Sequence, residues 1–125
     1  PVIQGLFDVY NNGTAWFLKV PGIDVCGKTG TAENFTIIDG KRTQLTDHSI
    51  FIAFAPKDDP KIALAVFVEN GYYGARWAGR IASLMIEKYL KGEVTLKQME
   101  QMVLDKSLEE EYAKPYSGKP FTINN

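Results

Sequence analysis

Lys28-Thr29-Gly30-Thr31 places an ammonium, two hydroxyls and a residue without a side chain in four consecutive positions. That set suits a carboxylate: the lysine is a cation, the threonines are neutral donors, and the glycine lets a ligand lie against the backbone. A backbone N–H beyond the glycine is then free to point at a developing oxyanion. The same lysine also completes Gly22-Ile23-Asp24-Val25-Cys26-Gly27-Lys28-Thr29, which matches the G-x-x-x-x-G-K-[ST] pattern of a phosphate-cradling loop. Such a loop needs flexible residues whose N–H groups curl around phosphate, followed by a helix whose N-terminus faces it. Here the β-branched Ile23 and Val25 favour extended backbone, and Thr29, Gly30 and Thr31 disfavour a helix. The apolar run before Glu69 would serve as an acidic strand end for a nucleotide site, but a buried strand ending at the Asn70-Gly71 turn gives the same pattern. Residues 23–35 therefore read as one strand, opened by the Pro21-Gly22 turn.

The flanking elements must hold that strand. Residues 2–10 read as the last turns of a helix with Ile3, Leu6, Phe7 and Tyr10 on one side. A polar connection from residue 36 to 47 contains the turn pair Asp39-Gly40. Residues 50–55 and 62–68 read as strands apolar on both faces, so helices are expected on both sides of the sheet. The short turn between Pro56 and Pro60 makes that pair antiparallel. Ala78, Ile81, Ala82, Met85 and Tyr89 recur at helical spacing, and Gly92 stops the helix. Thr95 and Gln98 form a capping-box signature for a second helix to about Tyr112, with a stripe of Leu96, Met99, Val103 and Leu108. From Ala113 the Pro, Gly and Asn content predicts an extended or disordered tail. The fold class is α+β: an antiparallel sheet of three strands packed by helices. The chain divides into residues 1–92, which carry the Lys-Thr-Gly strand, hairpin and packing helix, and residues 93–125, a C-terminal helix and tail.

Other candidate chemistry is sparse. Cys26 is the single cysteine, so no internal disulfide forms, and it is expected to be a buried, inert thiol. His48, the single histidine, follows Asp47 and is expected to be structural at a strand start. One His and one Cys make a zinc site improbable, and no cofactor or metal is expected. Tyr10-Asn11-Asn12 reads as a helix end followed by a Gly13 stop. Fourteen basic and fifteen acidic residues give a net charge of −1, which argues against nucleic acid or an acidic membrane surface as partner. No apolar stretch approaches the roughly 20 residues needed to span a bilayer, and no signal peptide is evident.

Gly27-Lys28-Thr29-Gly30-Thr31-Ala32-Glu33, then Asp47-His48, Phe51-Ile52-Ala53-Phe54-Ala55-Pro56, Ile62-Ala63-Leu64-Ala65-Val66 and Glu69-Asn70-Gly71 follow one another in a familiar order. This order resembles the C-terminal part of the transpeptidase domain of class B penicillin-binding proteins, the peptidoglycan D,D-transpeptidases, most closely the penicillin-binding protein 2 type. Lys-Thr-Gly is one signature of that superfamily. The resemblance implies a partial penicillin-binding/β-lactamase-like fold and a serine acyl-enzyme that cross-links peptidoglycan stem peptides and is acylated by β-lactam antibiotics. It further implies that Lys28, Thr29, Gly30 and Thr31 bind the donor's terminal carboxylate, and that the backbone N–H of Thr31 is one oxyanion donor. Glu33 and Asn34 would continue that wall. The implied setting is the periplasmic or extracytoplasmic face. The parent would be anchored in the cytoplasmic membrane by an N-terminal helix and work with the cell-elongation machinery.

The family's nucleophile lies in Ser-x-x-Lys and its second motif is Ser-x-Asn. None of Ser49, Ser83, Ser107 and Ser117 has a lysine three residues on or an asparagine two residues on. The chain alone is therefore expected to be inactive. With two further strands and a helical half expected beside it, residues 61–69 should form an exposed strand edge under an uncovered apolar face, which invites self-association. A β-lactamase or β-lactam-sensor relative, a P-loop nucleotide binder and a non-catalytic interaction module stand as alternatives.

Overall fold

The computed structural model describes residues 1–71, 75–107 and 109. Helix α1 (Val2–Asn11) is followed by a 3-10 turn (Trp16–Leu18) and strands β1 (Cys26–Ala32), β2 (Phe35–Ile38), β3 (Lys41–Gln44), β4 (His48–Ala55) and β5 (Ile62–Val68). A π-helical stretch (Ala75–Gly79) runs into α2 (Arg80–Lys91), and α3 (Lys97–Asp105) follows. A three-stranded antiparallel sheet has the order β1-β4-β5, and β2-β3 is a separate antiparallel pair. The expected α+β class and three-stranded sheet are present; the second pair is an addition.

Three boundaries differ from expectation. The strand read over residues 23–35 is confined to Cys26–Ala32, and Phe35 opens β2 instead. The polar connection is a hairpin, because Asp39 and Gly40 both take positive φ (51° and 73°) and so make the turn that matches strand twist. The second helix ends at Asp105, where Lys106 turns extended (ψ 128°), short of the expected Tyr112; Leu108 in its stripe and the tail from Ala113 lie outside the described residues.

The sheet is not covered equally on both faces. On β4 the burial alternates, with Ser49, Phe51, Ala53 and Ala55 fully buried and Ile52 half exposed at 51%. Helices therefore cover the Phe51 face, and the expectation of helices on both sides does not hold among the described residues. Register pairs Ile50 with Phe67, Ile52 with Ala65 and Phe54 with Ala63 on the other face. Phe67 there is 55% exposed, and β5 forms a sheet edge as expected.

A buried polar chain fastens the helices to the covered face. Tyr10 lies edge-on against Phe51, with ring centroids 5.8 Å apart. Its hydroxyl meets Ser83 Oγ at 3.1 Å, and that oxygen donates to the Leu18 carbonyl at 2.8 Å. Tyr10 thus donates, and α1, α2 and the 3-10 turn are joined by one relay. Burial pushes the Tyr10 phenol up to about 12. α1 closes just after Tyr10, with Asn12 and Gly13 N–H both on the Asp8 carbonyl at 2.9 Å. That is the helix end and stop expected of Tyr10-Asn11-Asn12-Gly13.

The buried stripe of α2 is rotated from the expected one. Met85 and Tyr89 are exposed at 50% and 64%, while Ala82, Ser83, Ile86 and Glu87 are buried. The true stripe includes a serine and a glutamate, which an apolar pattern passes over. Gly92 stops α2 as expected, at φ 77° with its N–H on the Lys88 carbonyl. The capping box does not form: Thr95 donates its N–H and its hydroxyl to Glu87, each at 2.6 Å, and α3 begins without a side-chain cap.

Gly27 shows how tightly α1 seals the sheet. A Cβ there would lie 2.9 Å from the Ile52 carbonyl, Phe51 Cζ and Tyr10 Cε2. The Gly27→Ala variant should therefore lose about 1–3 kcal/mol of stability through overpacking. Thermal unfolding of the variant checks this, and an unchanged midpoint would contradict the packing described.

Candidate active-site strand

Among the described residues β1 is an edge strand that pairs only with β4, so one side of its backbone faces away from the sheet. Register places Gly27 opposite Ala53, Thr29 opposite Phe51 and Thr31 opposite Ser49. Alternation then puts Thr29 and Thr31 on one face, and Lys28 with Gly30 on the other. Thr29 is half-buried, and Lys28 and Thr31 are exposed. A Cβ on Gly30 would reach no closer than 3.4 Å to Ile50, so the sheet itself does not demand glycine there.

Lys28 Nζ donates to the Thr29 carbonyl at 2.8 Å, which brings the ammonium to the edge of the strand. A carbonyl reached by a neighbouring side chain points off the open edge. In an antiparallel strand a residue's N–H and C=O share a direction, and residues two apart share it too. The Thr31 N–H is therefore aimed off the same edge. β1 thus carries two threonines on one face, and an ammonium and a main-chain donor along its open edge.

This geometry excludes the phosphate-loop reading. Lys28 and Thr29 lie mid-strand, and the residues that follow them continue β1 instead of opening a helix. Glu33 and Asn34 lie beyond the end of β1. Glu33 pairs with Arg42 at 2.9 Å, a solvent-exposed contact that adds little stability, and Arg42 lies 4.3 Å over the Phe35 ring. Asn34 donates its side-chain amide to the Thr46 carbonyl and Asn70 Oδ1.

The remaining reactive side chains are structural. Cys26 is buried with Sγ 3.8 Å from the Ile3 carbonyl. Burial pushes its thiol up, with Lys57 opposing and Asp24 and Asp58 adding to the rise. His48 opens β4, accepts the Asn70 N–H on Nδ1 at 3.0 Å and tilts over Phe67. Asp47 accepts from the Asn34 N–H and Gln44 Nε2. Among the described residues no cluster of His, Cys, Asp and Glu could hold a metal ion. The sequence marks Asn70 as a turn residue but not as a partner of Asn34, and Gln44 carries no local signal; Asp39-Gly40 between β-branched and polar runs is the signal for the hairpin.

A family model described as the penicillin binding protein transpeptidase domain matches residues 2–87. The chain is 36% identical over 94 residues to the peptidoglycan D,D-transpeptidase MrdA of Acinetobacter baumannii, covering 70% of this chain and 14% of that protein. It is 43% identical over 79 residues to the peptidoglycan D,D-transpeptidase PbpA of Mycobacterium tuberculosis, covering 59% of this chain and 15% of that protein. Among solved structures, penicillin-binding protein A from M. tuberculosis as a ceftriaxone acyl-enzyme complex matches with a TM-score of 0.56 and 35% identity, over 70% of this chain and 20% of that one. The D,D-transpeptidase domain of a peptidoglycan glycosyltransferase from Eggerthella lenta matches with a TM-score of 0.53 and 33% identity, over 72% of this chain and 19% of that one. The chain thus spans about one seventh of the length of these curated relatives.

Proposed function

Because this chain belongs to the penicillin-binding-protein transpeptidase family, we propose that it forms the substrate-binding wall of a peptidoglycan D,D-transpeptidase. The observation that carries the reading is an edge strand with Thr29 and Thr31 on one face and the Lys28 ammonium held along its open side. Thr29 and Thr31 hydroxyls bind the terminal carboxylate of a stem peptide, or that of a β-lactam. The Lys28 cation strengthens both bonds. Gly30 leaves room for the ligand against the strand, and Glu33 with its Arg42 partner borders it. The Thr31 N–H stabilises the oxyanion formed when a serine attacks the penultimate D-alanyl carbonyl.

That serine and its base are supplied from outside these residues, so the isolated chain is inactive and acts in the complete protein on the extracytoplasmic face. No helix of the described residues is long and apolar enough to cross a membrane. The resemblance to the elongation transpeptidases supports work beside the cell-elongation machinery. Residues 1–92 are the working part of the transpeptidase domain, and α3 of the segment that follows is tied to α2 through Glu87.

The uncovered face of Ile52 and Phe67, beside the β5 edge, makes the isolated chain self-associate. Sizing with light scattering should show this; a sharply folded monomer would contradict it. The function itself is tested by benzylpenicillin acylation of the complete protein. Lys28→Ala should slow acylation by about 10- to 100-fold, the scale of losing a charged contact to the ligand. Unchanged acylation by a folded variant would remove Lys28 from the site.

A further inference from the structure

Asn34 sits three residues beyond Thr31, where β1 has ended and sheet pairing no longer holds the chain. Its N–H donates to Asp47 Oδ1 at 3.2 Å, and its side-chain amide donates to the Thr46 carbonyl at 3.1 Å and to Asn70 Oδ1 at 2.8 Å. Its carbonyl accepts from the Leu45 N–H at 2.8 Å and from Gln44 Nε2 at 3.0 Å. Closing the β2–β3 hairpin needs only the bond to Leu45. The reach to Asn70, across 36 residues of sequence, does something else.

Those bonds complete a circuit around the end of the substrate strand. Thr31 pairs with Ser49 and Ala32 with His48 across the sheet. His48 Nδ1 accepts from the Asn70 N–H, and Asn70 Oδ1 accepts from Asn34. Asn70 is held at φ 52°, and Gly71 beyond it has no room for a Cβ, which would lie 2.8 Å from Ser49 Cβ. The far end of the circuit is therefore itself fixed on β4. An edge strand has no neighbour on its outer side to hold it, yet an oxyanion donor works only within a few tenths of an ångström of its place.

We propose that Asn34 is a positioning residue for acylation: through Asn70 and Asp47 it clamps the end of β1 so that the Thr31 N–H meets the oxyanion. This rests on the transpeptidase reading. The clamp acts mainly on the acylation step, because the carboxylate is also held by Lys28 and Thr29, farther along β1 from Asn34, whereas the oxyanion forms only as the serine attacks and depends on the placement of the Thr31 N–H.

The test is single-turnover acylation of the complete protein by nitrocefin and benzylpenicillin, which separates non-covalent affinity from the acylation rate. Asn34→Ala should slow acylation about 10- to 100-fold, the scale of a donor misplaced by about an ångström, with affinity little changed. Asn70→Gly removes the same bond while keeping the left-handed backbone that glycine adopts freely, and should slow acylation similarly. It decides the matter if Asn34→Ala fails to fold. The double variant should be no slower than either single one. Ser83→Ala breaks the buried Tyr10 relay, which shares no residue with the Asn34 circuit, and should lower thermal stability while leaving the acylation rate intact. Wild-type acylation rates in both circuit variants, a loss of affinity in place of rate, or an equal loss in Ser83→Ala would each overturn the positioning role alone. A folded wild-type protein that takes no acyl group would overturn this role and the transpeptidase reading together.

Discussion

Replacing Thr31 by proline should slow acylation of the complete protein by about 10²–10³, the effect of removing one oxyanion donor. A main-chain donor is out of reach of side-chain substitutions, but proline deletes the N–H itself. β1 tolerates this because it is an edge strand and the Thr31 N–H points off the sheet, where proline breaks no ladder bond. Gly30 ahead of it is free to stay extended. The control is Thr31→Val, which keeps the N–H and removes only the hydroxyl. It should weaken non-covalent binding of a β-lactam far more than it slows the chemical step. A folded Thr31→Pro variant that acylates at the wild-type rate would show that the donor lies elsewhere.

Replacing Glu87 by glutamine should undock α3 and cost about 3 kcal/mol at neutral pH, the scale of breaking a buried charged network. Glu87 is fully buried, and its carboxylate accepts from Thr95 N–H and Oγ1, Leu96 N–H and Lys91 Nζ. Burial works to raise its pKa, but the bonds from Thr95, Leu96 and Lys91 outweigh burial and hold it below the usual carboxylate range. A carboxyl depressed on folding contributes stability above its unfolded value, near 4.3, and that contribution disappears as pH falls through the lower folded value. Wild-type protein should thus lose stability as pH drops below about 4 more steeply than Glu87→Gln does. Amide exchange at residues 95–100 should quicken in the variant. Equal acid sensitivity in both proteins would contradict the account.

The central strand was legible because its chemistry and its backbone preference agree: threonine and glycine around Lys28 rule out a helix and suit an edge. β4 and β5 were legible for the same reason, as apolar runs around a short charged turn. What stayed hidden involved polar residues inside the fold. Glu87 and Ser83 belong to the buried stripe of α2, so apolar periodicity placed Met85 and Tyr89 there instead. Thr95 looked like a cap because its spacing to Gln98 is right, but a buried carboxylate eight residues upstream takes both its donors. Asn34 and Asn70 meet across the fold, and no local rule links them. In the site, residue types were readable, but the direction of the Thr31 N–H follows from strand order and register, which only the fold supplies.

The most direct test is the intact mass of the complete protein after benzylpenicillin, with the acylated residue mapped, beside this chain alone. The account predicts one adduct, on a serine outside these 125 residues, and none on the chain by itself. An adduct on Cys26 or on any other residue of this chain, or none on a folded complete protein, would contradict the claim that β1 is the wall of a transpeptidase site.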